Sequence, residues 1–363
     1  MGRSRRSGEA GLTLIELLIT IAIGSAVAAS TFIFFASQQR VYETQTQLLN
    51  VQQNLWLAME TLSRQVRSAG SSMVGCGPQG LRATSGGGPV FRIPPLVITN
   101  CAAGAPDQLT LTYFTGGSGN FSDAALSETV QTTFNDVILK TLDSTVFREG
   151  EFVMLLNTTS TPPGGDRGCS LFQVTGPPGV GTLPVGSSSP WNAPGNVPGL
   201  IPYNYDLASS GIRNLGTLIS LRMFIDPGSA TQPPRLMIDD QADAAPAQSL
   251  AEGIEDLQIA YACDLQPAAA PDGALSEGTT PASRLADEWV NNQAGDVVPA
   301  ACALPTAIRM TLVGRSIAAD TALTATAGGG MTLSFKPAAE DGVVGIPDNF
   351  RHRLLTTTIY PRN

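Results

Sequence analysis

The 363-residue sequence holds a single histidine, His352. Histidine is the usual general base near neutral pH and the commonest metal ligand. Most hydrolytic chemistry would therefore have to be built on that one position. It stands between Arg351 and Arg353 near the C-terminus, with no serine or cysteine motif framing it, and reads as a surface residue. No Gly-x-x-x-x-Gly-Lys-Ser/Thr loop occurs, so nucleotide binding by that route has no support. The five cysteines include no CxxC pair, which removes zinc-ribbon and thioredoxin-like spacing. Asp239, Asp240 and Asp243 lack both the EF-hand spacing and its closing Glu, and read as a solvated acidic turn. Catalytic residues, cofactors and metal ligands are thus all expected to be absent, and the chain is not expected to be an enzyme.

Charge is scarce as well. Asp, Glu, Lys and Arg make up 14% of the chain, against about a quarter in typical soluble domains. The formal net charge of −9 excludes a general basic field for nucleic acid. With 38 Gly and 26 Pro, the composition is that of an exported β-rich domain with long loops.

What the sequence does have is one long apolar run. From Leu12 to Phe35 the only charged side chain is Glu16. A helix over that stretch would cover roughly 36 Å, enough to span the hydrocarbon core of a bilayer. Arg3, Arg5 and Arg6 precede it, so the positive-inside rule keeps the N-terminus cytoplasmic and exports the rest. A carboxylate inside a span is costly and usually functional. Two simpler readings compete. A plain signal anchor accounts for the run and the arginines but leaves Glu16 unexplained. A secretory signal peptide cut after Ala26-Val27-Ala28 is the other, but helical patterning continues past Ala29.

Taken together, Gly11, Leu12, Thr13, Leu14, Ile15 and Glu16 resemble the processing site of type IV prepilins and pseudopilins. That family has a short basic leader ending in Gly, then an apolar helix with Glu at its fifth position. The resemblance implies cleavage after Gly11 by prepilin peptidase, which also N-methylates the new terminus. Leu12 stands where the family usually has Phe. Loss of Arg3, Arg5, Arg6 and Glu9 with the leader removes two net positive charges, leaving −11. The resemblance also implies a role for Glu16 in assembly, pairing with the N-terminal amine of a neighbouring subunit. In related secretion systems the topmost subunit lacks this Glu, which would place a subunit that keeps it below another one.

Beyond the run, residues 36–69 keep a helical period. Leu48, Val51, Leu55, Met59, Leu62 and Val66 recur at steps of three and four, and Gly70 is a good stop. Span and stripe together predict one helix from Leu12 to about Ser68, on the order of 85 Å long. Its second half should pack under a head. Short apolar runs then predict strands at Gln108–Phe114, Val137–Leu142, Glu151–Leu156, Leu171–Thr175, Leu218–Ile225, Ile254–Ala262, Ala307–Val313 and Leu354–Tyr360. Long loops are expected at 158–167, 176–199, 266–303 and 318–330. The expected fold is α+β: a long N-terminal helix, transmembrane in its first half, packed on an antiparallel β-sheet head. Its parts would be a leader (1–11), a transmembrane or filament-core helix (12–35), an amphipathic continuation (36–69) and a periplasmic or extracellular head (70–363). In an exported head disulfides are expected, with free buried thiols as the alternative; proximity pairs Cys76 with Cys101 and Cys263 with Cys302, leaving Cys169 odd.

Three further segments resemble PilW-type minor pilins: Ser63–Gly70 with Gly75-Cys76-Gly77, Glu252–Tyr261, and Arg351–Arg353 through Thr356–Thr358 to Asn363. The resemblance implies a low-abundance subunit that helps start assembly of a type IV pilus near its tip. Partners so implied are other minor pilins, the major pilin, prepilin peptidase and the inner-membrane assembly platform. The subunit would be a single-pass inner-membrane protein with a periplasmic head, and lie on the cell surface after assembly. Two alternatives are a J-type pseudopilin of a type II secretion system and a pilus-tip adhesin. Trp191, Tyr203 and Tyr205 hint at a binding surface for the latter.

Overall fold

The computed structural model describes residues 13–73, 76, 81–83, 91–101, 105–116, 122–130, 138–157, 169–186, 188–192, 205–207, 209–229, 231–243, 245–264, 275–277, 288–290, 305–319, 336–340 and 348–360. The chain forms two compact units, residues 1–50 and 51–363.

One helix, α1, runs unbroken from Leu14 to Ser68. No proline falls within it, and its C-terminal third is amphipathic, which is what a surface helix needs to hold one face against a core. Val51, Leu55, Ala58, Met59, Leu62 and Val66 are buried. The helix stops at Gly70, whose φ of +69° is left-handed and whose N–H donates to the Thr112 carbonyl at 3.1 Å. A Cβ at this position would lie 2.8 Å from Pro95 Cβ, so the stop needs glycine for space as well as for φ.

Seventeen strands follow among the described residues. They are β1 Leu81–Ala83, β2 Phe91–Ile93, β3 Leu96–Thr99, β4 Gln108–Phe114, β5 Ser122–Ala125, β6 Ile138–Lys140, β7 Phe152–Asn157, β8 Cys169–Gln173 and β9 Thr182–Pro184. Then come β10 Ser210–Gly216, β11 Leu218–Asp226, β12 Arg235–Asp240, β13 Gln248–Glu252, β14 Ile254–Ala262, β15 Trp289–Val290, β16 Ala307–Arg315 and β17 His352–Ile359. A six-stranded sheet has the order β2-β1-β8-β7-β10-β5, a five-stranded one β13-β12-β11-β4-β3, and a four-stranded one β15-β14-β16-β17. Strands β6 and β9 form a separate ribbon. Pairing is antiparallel except between β1 and β8, which run parallel.

The buried helix stripe joins a core with the five- and four-stranded sheets: Leu109, Leu111, Met223 and Leu236 on one side, Leu257, Ile259, Met310 and Leu312 on the other. Alternation along β14 and β16 turns Asp256, Gln258, Arg309 and Thr311 to the opposite face. There a short segment, residues 336–340, closes over them: Lys336 Nζ is 2.8 Å from the fully buried Asp256, and Glu340 holds both Arg309 and Thr311. The six-stranded sheet is buried differently. Every residue of β7 is buried. Met154, Leu156 and Leu171 pack with Phe114, Leu215 and Leu218, while Val153, Leu155 and Ile212 pack with Leu139, Leu183 and Tyr205.

The disulfide expectation needs correcting. Cys76 is bonded to Cys169, not to Cys101, and Cys101 is free. Sheet pairing overrides sequence proximity: the segment after Cys76 leads into β1, whose Leu81 is registered against Cys169. Cys101 follows the end of β3 in a different sheet. Cys263 is disulfide-bonded too, and Cys302 lies outside the described residues. Two expected loops also contain strands, β9 within 176–199 and β15 within 266–303. The other expected loops, 158–167 and 318–330, lie almost wholly outside the described residues.

Candidate functional site

The sequence concentrates its chemistry at the start of α1, and there Thr13 and Glu16 form a reciprocal cap. The Thr13 backbone N–H and its hydroxyl both donate to Glu16 Oε2 at 3.0 Å, and the Glu16 N–H donates to Thr13 Oγ1 at 3.3 Å. This is the Thr-x-x-Glu capping box, in which each side chain satisfies an orphan amide of the other. Thr13-Leu14-Ile15-Glu16 carried that signal in the sequence, and Thr13 is the functional residue that reading it for processing alone passes over. The box satisfies hydrogen bonds but not charge. Among the described residues no cation pairs with Glu16, and an unpaired carboxylate in an apolar setting costs several kcal/mol.

The remaining polar side chains of the span cost little. Thr20, Ser25, Ser30 and Thr31 each donate to a helix carbonyl three or four residues back, at 2.8–2.9 Å. Such back-bonding makes the segment self-sufficient in hydrogen bonds, as a membrane-spanning helix must be. All described residues from Thr13 to Phe35 are exposed. The helix is long and apolar enough to cross a membrane. Gly11 and Leu12, the expected cleavage pair, lie outside the described residues.

Elsewhere the candidate sites become packing. The His352 side chain is not on the surface: it is 3% exposed, with Nε2 3.1 Å from Glu255 Oε1 and 3.6 Å from Asp348 Oδ2. Position on β17 beside β16 buries it, which its arginine neighbours in the chain do not reveal. Asp239 pairs with Arg222 at 2.8 Å, and Asp240 accepts from the Ala242 N–H at 3.0 Å, so the acidic turn ties β11 to β12. No group of three or more metal-ligating side chains occurs among the described residues. Tyr205 is fully buried beside Ser170, and Trp191 packs edge-on to Phe152 at 5.6 Å. They belong to the core around the six-stranded sheet rather than to a binding surface, and Tyr203 lies outside the described residues. Cys101 is half-buried; burial, helped by the Asp107 carboxylate, raises its thiol pKa and favours the unreactive protonated form.

The chemistry of the molecule is thus a capped carboxylate at the start of a long apolar helix, with a β head further along the chain. The family model for the type IV pilus-assembly protein W matches residues 223–363, and that for the prokaryotic N-terminal methylation motif matches residues 6–32. The first takes in the last four residues of β11 and all of β12–β17; the second takes in Arg6, Gly11, Thr13 and Glu16. Searches of curated proteins and of solved structures returned no match. At its start the chain matches the methylation motif and over its last part the PilW family, so at both ends it is similar to a PilW-type minor pilin.

Proposed function

We propose that the protein is cut after Gly11 and N-methylated on Leu12. It then waits in the inner membrane with its head in the periplasm, and enters a type IV pilus near the tip, where it helps start assembly. The observation that carries this reading is Glu16: capped by Thr13, yet with no cation among the described residues, at the start of a span with no other charge. The positive N-terminal amine of a neighbouring subunit would neutralise it. Opposite charges a few ångströms apart attract strongly in a poorly screened setting, so the pair selects one axial offset between helices. Helices 12–35 of successive subunits would exchange lipid contact for contact with each other, and packing rather than transfer from water would choose the partners. Other minor pilins, the major pilin, prepilin peptidase and the assembly platform are the partners of this reading, and no catalysis is part of it. The J-type pseudopilin alternative differs only in the machine served, and deletion of the gene followed by assays of piliation and of secretion separates the two.

The test is Glu16→Gln in a strain lacking the native copy. Size and insertion are kept and the charge is removed. Mass spectrometry should show the N-terminal peptide beginning at Leu12, membrane levels should be normal, and pili should be few. A mature chain beginning at Ala29 would end the pilin reading, and full piliation would show that the charge is dispensable.

A further inference from the structure

Strands β6 and β9 pair outside the three sheets, with Ile138 opposite Pro184, Leu139 opposite Leu183 and Lys140 opposite Thr182. One face of this ribbon, carrying Leu139 and Leu183, is buried in the core around Tyr205. The other face is largely apolar as well, yet open to solvent. Pairing continues one step further, where the Thr141 N–H donates to the Gly181 carbonyl at 3.1 Å, which brings Leu142 into register with Val180. Ile138 is 41% exposed, Leu142 72%, and Val180 completely.

Val180 is the apex of a closed turn. The Gly179 N–H donates to the Thr182 carbonyl at 3.0 Å, and the Thr182 N–H donates back to the Gly179 carbonyl at 3.2 Å. Gly181, at a φ of +67°, takes the left-handed conformation that suits glycine, and its N–H donates to Ser144 Oγ at 3.3 Å. Turns that face water usually place Asn, Asp or Ser at such points. This one sets a valine between two glycines, behind Pro177 and Pro178. The prolines have no N–H to offer, and the amides of Gly179, Gly181 and Thr182 are engaged. A tip with so few open donors suits a medium that accepts no hydrogen bonds.

We propose that this tip, Leu142 and Val180 with Ile138 behind them, is a membrane-contact site that enters the outer part of a lipid bilayer. A strand of another protein would need amides that are already taken. Acyl chains yield around a convex point and require only apolar surface, because the hydrophobic effect has no direction. The charges nearby set the depth. Lys140 follows on the same face and is paired with Glu128, while Asp143, next to Leu142, accepts from the Thr145 N–H and hydroxyl. These groups stay at the level of the headgroups, so entry is shallow. Lys140 and Glu128 cancel and Asp143 adds a negative charge, so the contact is with zwitterionic lipid and does not weaken with salt. With Tyr205 and Trp191 taken up in the core, the ribbon tip is the contact surface that the adhesin alternative would use.

The experiment uses the full chain reconstituted into phosphatidylcholine vesicles. In a Cys101→Ser background, a cysteine carrying an environment-sensitive fluorophore replaces Leu142 or Val180. Glu149 and Leu207, both exposed and off the ribbon, are the control positions. Lipid with a quencher on its acyl chain reports contact. Quenching should be severalfold stronger from positions 142 and 180 than from 149 and 207, and the same at low and high salt. With the fluorophore at 142, Val180→Asp should remove most of the quenching and Val180→Leu should keep it, neither moving the melting temperature. Equal quenching at all four positions, none at 142 and 180, no response to Val180→Asp, or contact only with anionic lipid would each overturn the proposal. So would a photo-crosslinking amino acid at position 180 that, in the producing cell, joins to protein and not to lipid. Glu16→Gln should leave this contact unchanged, so the tip and the pilin reading stand or fall separately.

Discussion

The two sheet systems of the head bury their residues by different means. The five- and four-stranded sheets share one core with the last third of α1, so a single helix covers a face of each. The polar face of the four-stranded sheet is closed by ion pairs to residues 336–340. The six-stranded sheet owes nothing to the helix stripe. Both faces of β7 are covered by residues of the β1–β10 region, by Phe114 and Leu218 and by Met73, and a disulfide ties the sheet to the segment after the helix. One system is therefore a docking product and the other is largely self-contained. Only the docked one has strands in the stretch that matches the PilW family.

The sharpest way to break that comparison is to start the chain at Gly70 instead of Gln38. Six buried apolar helix side chains would go, five of them large, at about 1.5–3 kcal/mol for each large one. Their sum rivals the whole stability of a typical domain. Hydrogen exchange should then be fast in β14 and β16 and remain slow in β7 and β10. Equal loss of protection in both sheets would show that they stand or fall together.

A gentler version is a pair of truncations within the cores. Leu62→Ala and Leu155→Ala each remove a fully buried side chain, at about 2–5 kcal/mol. The first should accelerate exchange in β14 and β16, the second in β7 and β10, and urea unfolding should report the size of each. Crossed effects would deny the separation.

Removing the Cys76–Cys169 bond by a double serine change releases a span of 93 residues. Loop-closure arguments put the loss at about 4.6 kcal/mol at most. It should fall on the six-stranded sheet, leaving the helix core protected. Without reductant, alkylation of the native chain should mark Cys101, and slowly, since its thiol is held protonated.

The smallest effect belongs to the β11–β12 turn. Arg235 and the Gly228 N–H hold the Asp226 carboxyl below its ordinary range. A carboxyl lowered by folding contributes stability above its unfolded pKa and loses it as pH falls through the folded one. Asp226→Asn should therefore flatten, slightly, the fall of the urea midpoint below about pH 4. An unchanged slope would mean that the ion pair is fully screened by solvent.

The helix and the strands that alternate cleanly were legible in advance. Strands β4 and β14 have the bounds expected from Leu109, Leu111 and Tyr113 and from Ile254 to Ala262. Strands β1, β2, β5 and β10 were not, for they are short or rich in Gly, Ser and Asp, and exist because distant strands accept their hydrogen bonds. Local periodicity carries no trace of such pairing. The same non-local pairing decides the disulfide and buries His352 and Tyr205. The Thr13–Glu16 cap, by contrast, is local and four residues long, so its Thr-x-x-Glu pattern could be read from the sequence.

The parallel pairing of β1 with β8, and the bond from Cys76 to Cys169 beside it, set a timetable. On the proposed export of the chain from the helix onward, Cys76 arrives early and its sulfur partner 93 residues later. During that interval Cys101 arrives first, and a bond to it would strand Cys169. On that reading, an order of synthesis that offers the wrong thiol before the right one would make an isomerase in the receiving compartment a condition of yield. The finished head would give no sign of that dependence.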